Sequence, residues 1–177
     1  MAQPSSGAST DRAEADTGRQ PSPAERARSY EQATEKIRAQ CIQGRRIICG
    51  KILQITTDGL VVESGYTNLM RAPLNKKWLI PGTAQAERAK NLIESNDPGS
   101  PCSGLVFLTA PPKSRLAKPR LYDFVVIQAY PAGQYAYNSV GTMRRTVRRF
   151  CASLAAAIRM NRAAAGIEPP MIASETK

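Results

Sequence analysis

The chain has 177 residues, 42% of them hydrophobic, with a net charge of +11 and no histidine. That length fits one domain, and the missing histidine removes the usual general base at neutral pH. Residues 1–40 are neutral overall, 41–109 carry an excess of +3, and 110–177 carry +8. A basic balance concentrated in one third of the chain favours a polyanion or an anionic surface as partner, although charge alone also serves solubility.

Residues 1–21 contain no Ile, Leu, Val, Phe, Tyr or Trp. Such a segment buries too little apolar surface to offset its ordering entropy, so it reads as a disordered tail. Ser22, Pro23 and Glu25 form a capping-box signal with proline at the first helical position. A helix is expected over 22–41, with a thin apolar stripe through Ala27, Tyr30, Ile37 and Cys41.

The texture then changes to Ile, Val and Leu. Ile48, Ile52 and Ile55 precede a Thr-Thr-Asp-Gly turn, and Leu60, Val61 and Val62 follow it, which predicts a β-hairpin from Arg46 to Ser64. Pro73 and Pro81 place the next stretch in a loop or at a sheet edge. Ala86–Glu94 reads as one short helix.

Leu105–Leu108 is a continuous apolar run, expected to be a buried strand. A proline-rich basic loop leads to a strand over Leu121–Tyr130, then a Pro-Ala-Gly turn and a further strand through Tyr135 and Tyr137. Gly141–Phe150 holds Arg144, Arg145, Arg148 and Arg149. As a strand it places Arg145, Val147 and Arg149 on one face, with Thr146, Arg148 and Phe150 on the other. As a helix it aligns Met143, Val147, Phe150 and Leu154. The favoured reading is a strand to Phe150 followed by an Ala-rich helix over 151–165, with 166–177 a second disordered tail.

The fold class expected is mainly β (α+β). It is a small, partly open antiparallel barrel of SH3-like or OB-like type over 42–150, with about five strands and a helix at each end.

Cys41, Cys49, Cys102 and Cys151 form no C-x-x-C pair, and without histidine a zinc site would need all four. They read as buried thiols, and no cofactor or metal is implied. Asp123 is the one acid inside an apolar strand and reads as outward-facing. Nucleophile-elbow, phosphate-loop and dinucleotide motifs are missing, so a non-catalytic module is expected. No apolar run reaches transmembrane length and no signal peptide is visible, which makes cytoplasmic the default.

Small β-barrels bind single-stranded nucleic acid through a basic groove with aromatic platforms. The residues that fit are Lys113, Arg115, Lys118 and Arg120 before the aromatic strand, Tyr135 and Tyr137 in it, and Arg144, Arg145, Arg148 and Arg149 after it. RNA or single-stranded DNA is the first partner to consider. A structural or protein-interaction barrel meeting an acidic partner, or only water, is the alternative. An Arg-faced helix on anionic lipid is a weaker one.

Overall fold

The computed structural model describes residues 21–71, 78–109, 111, 118–138 and 144–169. The first helix, α1 (Pro23–Gln43), begins as its sequence dictates. The Ser22 hydroxyl accepts from the Glu25 amide, and the Glu25 carboxylate accepts from the Ser22 amide at 2.7 Å. Ile37 and Cys41 are its buried residues.

Five strands form a closed ring. They are β1 (Arg46–Ile55), β2 (Gly59–Ser64), β4 (Gly104–Thr109), β5 (Phe124–Asn138) and β6 (Arg144–Cys151). The two-residue β3 (Leu79–Ile80) pairs with β5 on the side, and Pro81 ends it. The sheet runs β1-β2-β4-β6-β5, and β5 pairs again with β1. Strands β1, β2 and β4 form an antiparallel meander, and β5 returns to lie beside β1, which is a Greek key.

The expectation of a wholly antiparallel sheet is corrected at one seam. Strands β4 and β6 run parallel, from Val106↔Arg148 to Thr109↔Cys151. The reason is topological. A closed ring with an odd number of strands cannot alternate direction at every pair, so five strands force one parallel seam.

Period-two alternation directs Ile48 and Ile52 of β1, Leu60 and Val62 of β2, Val106 and Leu108 of β4, Val125 and Ala129 of β5 and Phe150 of β6 to the interior. All are 5% exposed or less. Ser64 is the polar member of this interior. Its hydroxyl donates to the Cys102 carbonyl at 2.8 Å and accepts from the Cys49 amide, so its burial leaves no unpaired group.

Two expected elements differ. Ala86–Glu94 is not helical. Its backbone is claimed by neighbours instead: the Ala89 amide donates to the Gly65 carbonyl, and the Asn68 side chain bonds Gln85 and Glu87. The Pro-Ala-Gly segment is not a turn between two strands. It is a bulge inside one long β5, where the register shifts between Pro131 and Gln134. Pro131 has no N–H to give the ladder, and Gly133 takes φ 87°.

The bulge is gripped from outside. α2 (Leu154–Ala164) follows β6 and packs on α1 around Cys41, Ala132, Cys151 and Ala157. The Asn161 amide donates to the Pro131 carbonyl at 2.9 Å, and the Arg162 guanidinium donates to the Tyr30 hydroxyl. Of the stretch 166–177, expected to be disordered, residues 166–169 are described, and Ile167 packs against this cluster. The remainder, like residues 1–20, lies outside the described residues.

Gly50 packs closely against the backbone of β2. A Cβ there would meet the Ser64 Cα and the Val62 Cγ1 at 2.7 Å. Gly50→Ala is therefore expected to lower stability by about 1–3 kcal/mol, read as a lower denaturant midpoint at constant slope.

Candidate nucleic-acid interface

The strand reading of the four arginines holds: Arg144–Cys151 is β6, and α2 starts only at Leu154. The amphipathic helix needed for the lipid alternative does not form. Alternation then sends the arginines to different faces, and their partners differ accordingly.

Arg148 lies on the interior side, between Val106 in register and Phe150 along the strand. It reaches the end of the ring, where its guanidinium donates to both Glu94 carboxylate oxygens at 2.6 and 2.8 Å. It also donates to the Ser103 carbonyl at 2.7 Å. Arg46, on the interior side of β1, approaches the same carboxylate at 3.7 Å. Glu94 is 21% exposed and Arg46 12%. One carboxylate thus ties β1, β6 and the segment before β4 together. The Arg148 hydrogen bonds hold the Glu94 carboxyl below its ordinary value of 4.5, outweighing the opposing effect of burial.

Arg149 faces outward. Its Nε donates to the Thr109 hydroxyl at 2.9 Å. The guanidinium carbon lies 5.9 Å from the Phe107 ring centroid and 5.7 Å from that of Tyr135. Those two rings stack at 3.5 Å, nearly parallel. Tyr135 is therefore occupied in covering Phe107, which is fully buried.

Arg144 and Arg145 stand elsewhere. Among the described residues, 134–138 of β5 pair only with β6, and 144–147 of β6 pair only with β5. This part is a two-stranded ribbon running past the ring. Arg145 faces Tyr137 across it and Arg144 faces Asn138, and both arginines are exposed. No carboxylate lies across the ladder from Arg144 to Arg148; their β5 partners are Asn138, Tyr137, Ala136, Tyr135 and Gln134.

Lys118 and Arg120 are exposed just before β5 begins, at the opposite end of that strand from the ribbon. The structure thus pairs Tyr137 with Arg145 on one face of the ribbon and Asn138 with Arg144 on the other, and places Lys118 and Arg120 apart from them. Lys113 and Arg115 lie outside the described residues.

The chemistry-bearing residues considered from sequence fall into structural positions. Asp123 is not an outward-facing strand residue. It precedes β5, and its carboxylate accepts from the Gly82 and Arg120 amides, each at 3.0 Å. All four cysteines are buried free thiols. Burial pushes the Cys102 thiol up to about 12 and raises Cys49 and Cys41 as well, which keeps them protonated and poor nucleophiles at neutral pH. Among the described residues no group of three Cys, Asp or Glu side chains converges as metal ligands would. No described helix is long and apolar enough to cross a membrane. The residue that sequence reasoning missed is Glu94. It reads there as the polar end of a short helix, and nothing local links it to Arg46 or Arg148.

The chain matches no protein-family model, no curated protein and no solved structure.

Glu94→Gln should lower stability by about 1.5–3 kcal/mol, the range for hydrogen bonds to charged groups. The pH dependence has a definite sign. A carboxyl whose folded pKa is depressed stabilises fully above its unfolded value of 4.5. That contribution disappears as pH falls through the lower folded value. Thermal melts from neutral pH into that acid window should show the wild type losing this stability. Glu94→Gln should lack that component of the loss.

Proposed function

We propose that this protein is a non-catalytic nucleic-acid-binding module, that its ring is a small barrel of the OB-like rather than the SH3-like type, and that its ligand is RNA or single-stranded DNA. The observation that carries the reading is the ribbon of β5 and β6. One face of it presents Arg145 beside the half-buried Tyr137 and the other presents Arg144, with no acid opposite either arginine. Cations spaced along an extended strand suit a phosphate backbone, and a tyrosine ring beside them suits an unpaired base.

The barrel type rests on connectivity. A Greek key of β5, β1, β2 and β4 closed by a fifth strand is the arrangement of OB-type barrels, which bind oligonucleotides on their strands and loops. The residues proposed for contact are Arg144, Arg145 and Tyr137. Lys118 and Arg120 extend the basic surface at a second place. Arg148 is left out of the contact set because its charge is already paired with Glu94 and its guanidinium also donates to Ser103. Arg149 and Tyr135 support the ribbon from beneath through Thr109 and Phe107.

An acidic protein is the alternative partner for the same charges. It differs in one respect: a folded acidic protein offers carboxylates at fixed positions on one surface, whereas a single strand releases condensed counterions in proportion to the phosphates neutralised, whatever its base sequence.

Binding of a fluorescent oligonucleotide across a salt series tests the reading. Each phosphate contact on a single strand contributes a slope of about −0.7, so Arg144→Ala/Arg145→Ala should reduce the slope by roughly 1.4 whatever the base sequence. Arg148→Ala should instead lower the melting temperature with the slope unchanged. A double variant that retains the wild-type slope and affinity rejects the ribbon as the contact surface.

A further inference from the structure

Tyr122 is the one non-glycine residue among those described that holds a left-handed backbone, with φ 69°. An aromatic residue there is strained, and such strain persists only where the surroundings over-determine it. They do so here. The Tyr122 amide donates to the Ile52 carbonyl at 2.9 Å, and the Ile52 amide donates to the Asp123 carbonyl at 2.8 Å. The Asp123 carboxylate pins the Arg120 and Gly82 amides. Gly82 is pressed so closely against the turn that a Cβ on it would meet the Tyr122 carbonyl oxygen at 2.8 Å.

All this holds a ring that the fold does not bury. Tyr122 is 58% exposed, and its neighbour Leu121 is 53% exposed. Beside them on β1, Leu53 bulges out of register after Ile52 and is also exposed. The Lys51 ammonium lies 5.0 Å from the Tyr122 ring centroid, and Lys118 and Arg120 stand exposed just upstream. The adjacent acid in the chain, Asp123, accepts from two backbone amides. An exposed aromatic ring on a fixed backbone, with one cation beside it and two more exposed in the segment leading to it, is what an unpaired base with flanking phosphates needs. The ring supplies a stacking face at little entropic cost, and the cations supply phosphate contacts.

We propose that Tyr122, flanked by Lys51, Lys118 and Arg120, is a stacking platform for an unpaired base of a single-stranded nucleic acid, separate from the β5–β6 ribbon. The proposal rests on the nucleic-acid reading above and adds a second subsite to it. It also gives the strained turn a purpose: a tyrosine in an ordinary backbone conformation at this position would not be presented by the same clamp.

The test uses the full chain and two probes, an oligothymidine and an abasic strand of equal length. Tyr122→Gly relieves the positive φ and removes the ring, and Tyr122→Asn removes the ring with a residue that tolerates the same backbone. Both are expected to melt no lower than wild type. Both should bind oligothymidine roughly 5- to 150-fold more weakly, the loss of one base stack, with the salt slope and abasic-strand binding unchanged. Tyr122→Phe should bind as wild type.

Oligothymidine binding that survives in the Gly and Asn variants overturns the platform. So does an equal loss on both probes, and so does a wild-type dimer in sedimentation that Leu53→Ser dissociates, which would assign the patch to a second copy. The two readings fail separately. An unchanged salt slope in Arg144→Ala/Arg145→Ala, with a base-dependent loss in Tyr122→Gly, removes the ribbon and keeps the platform. The reverse pattern removes the platform alone. A wild type that binds neither probe removes both.

Discussion

The ladder between β1 and β5 is the constraint on which the rest depends. Six residue pairs, from Arg46↔Ala129 to Lys51↔Phe124, join the first strand to a strand far along the chain and close the sheet on itself. Closure removes the open edges that a five-stranded sheet would otherwise expose. It also fixes one parallel seam and sets how far β5 must reach. Its first half serves β1 and its second half serves β6, so it runs for 15 residues. The bulge at Pro131 bends it between the two duties. What remains beyond the ring is the basic ribbon. The surface proposed for binding is therefore a by-product of how the sheet closes.

Closure also explains why the four arginines do unlike work. Consecutive residues of a strand face opposite ways, so two adjacent pairs cannot form one uniform patch. Arg148 is turned toward the end of the ring, where its half-exposed side chain meets Glu94 and the Ser103 carbonyl. Arg149 sits beside two stacked rings. Only Arg144 and Arg145 reach past the last strand neighbour that could engage them.

Local signals in the sequence carried the elements whose causes are local. The capping box at Ser22 and Glu25, the Thr56–Gly59 hairpin turn and the switch from strand to helix near Phe150 were all legible. Even the face assignment of Arg145, Val147 and Arg149 followed from alternation alone. What was not legible depended on contacts between distant segments. Ala86–Glu94 has helical composition, yet Gly65 and Asn68 take its backbone. Pro131–Gly133 has turn chemistry, yet the ladder to β6 continues through it with a bulge. In the candidate site, the pairing of the tyrosine strand with the arginine strand could be read from a hairpin. The withdrawal of Arg148 by Glu94 could not, since nothing in the sequence near either residue points to the other. Tyr122 was visible as an aromatic, but its strained backbone arises from Ile52, Gly82 and Asp123 together.

The place of β6 in the ring has a consequence for how the chain acquires its structure during synthesis. The meander of β1, β2 and β4 is assembled from neighbouring segments, yet one side of β4 and the second half of β5 have no partner until residues 144–151 exist. A nascent chain that has emerged only as far as Asn138 therefore carries an unsealed sheet with Leu108 and Val106 open at the missing seam. The last strand acts as the stave that completes the vessel. Such a chain is exposed to wrong partners until the basic segment arrives. The segment that seals the apolar interior is also the most highly charged strand of the ring, so the sticky intermediate and the charge that keeps it soluble meet in the same step.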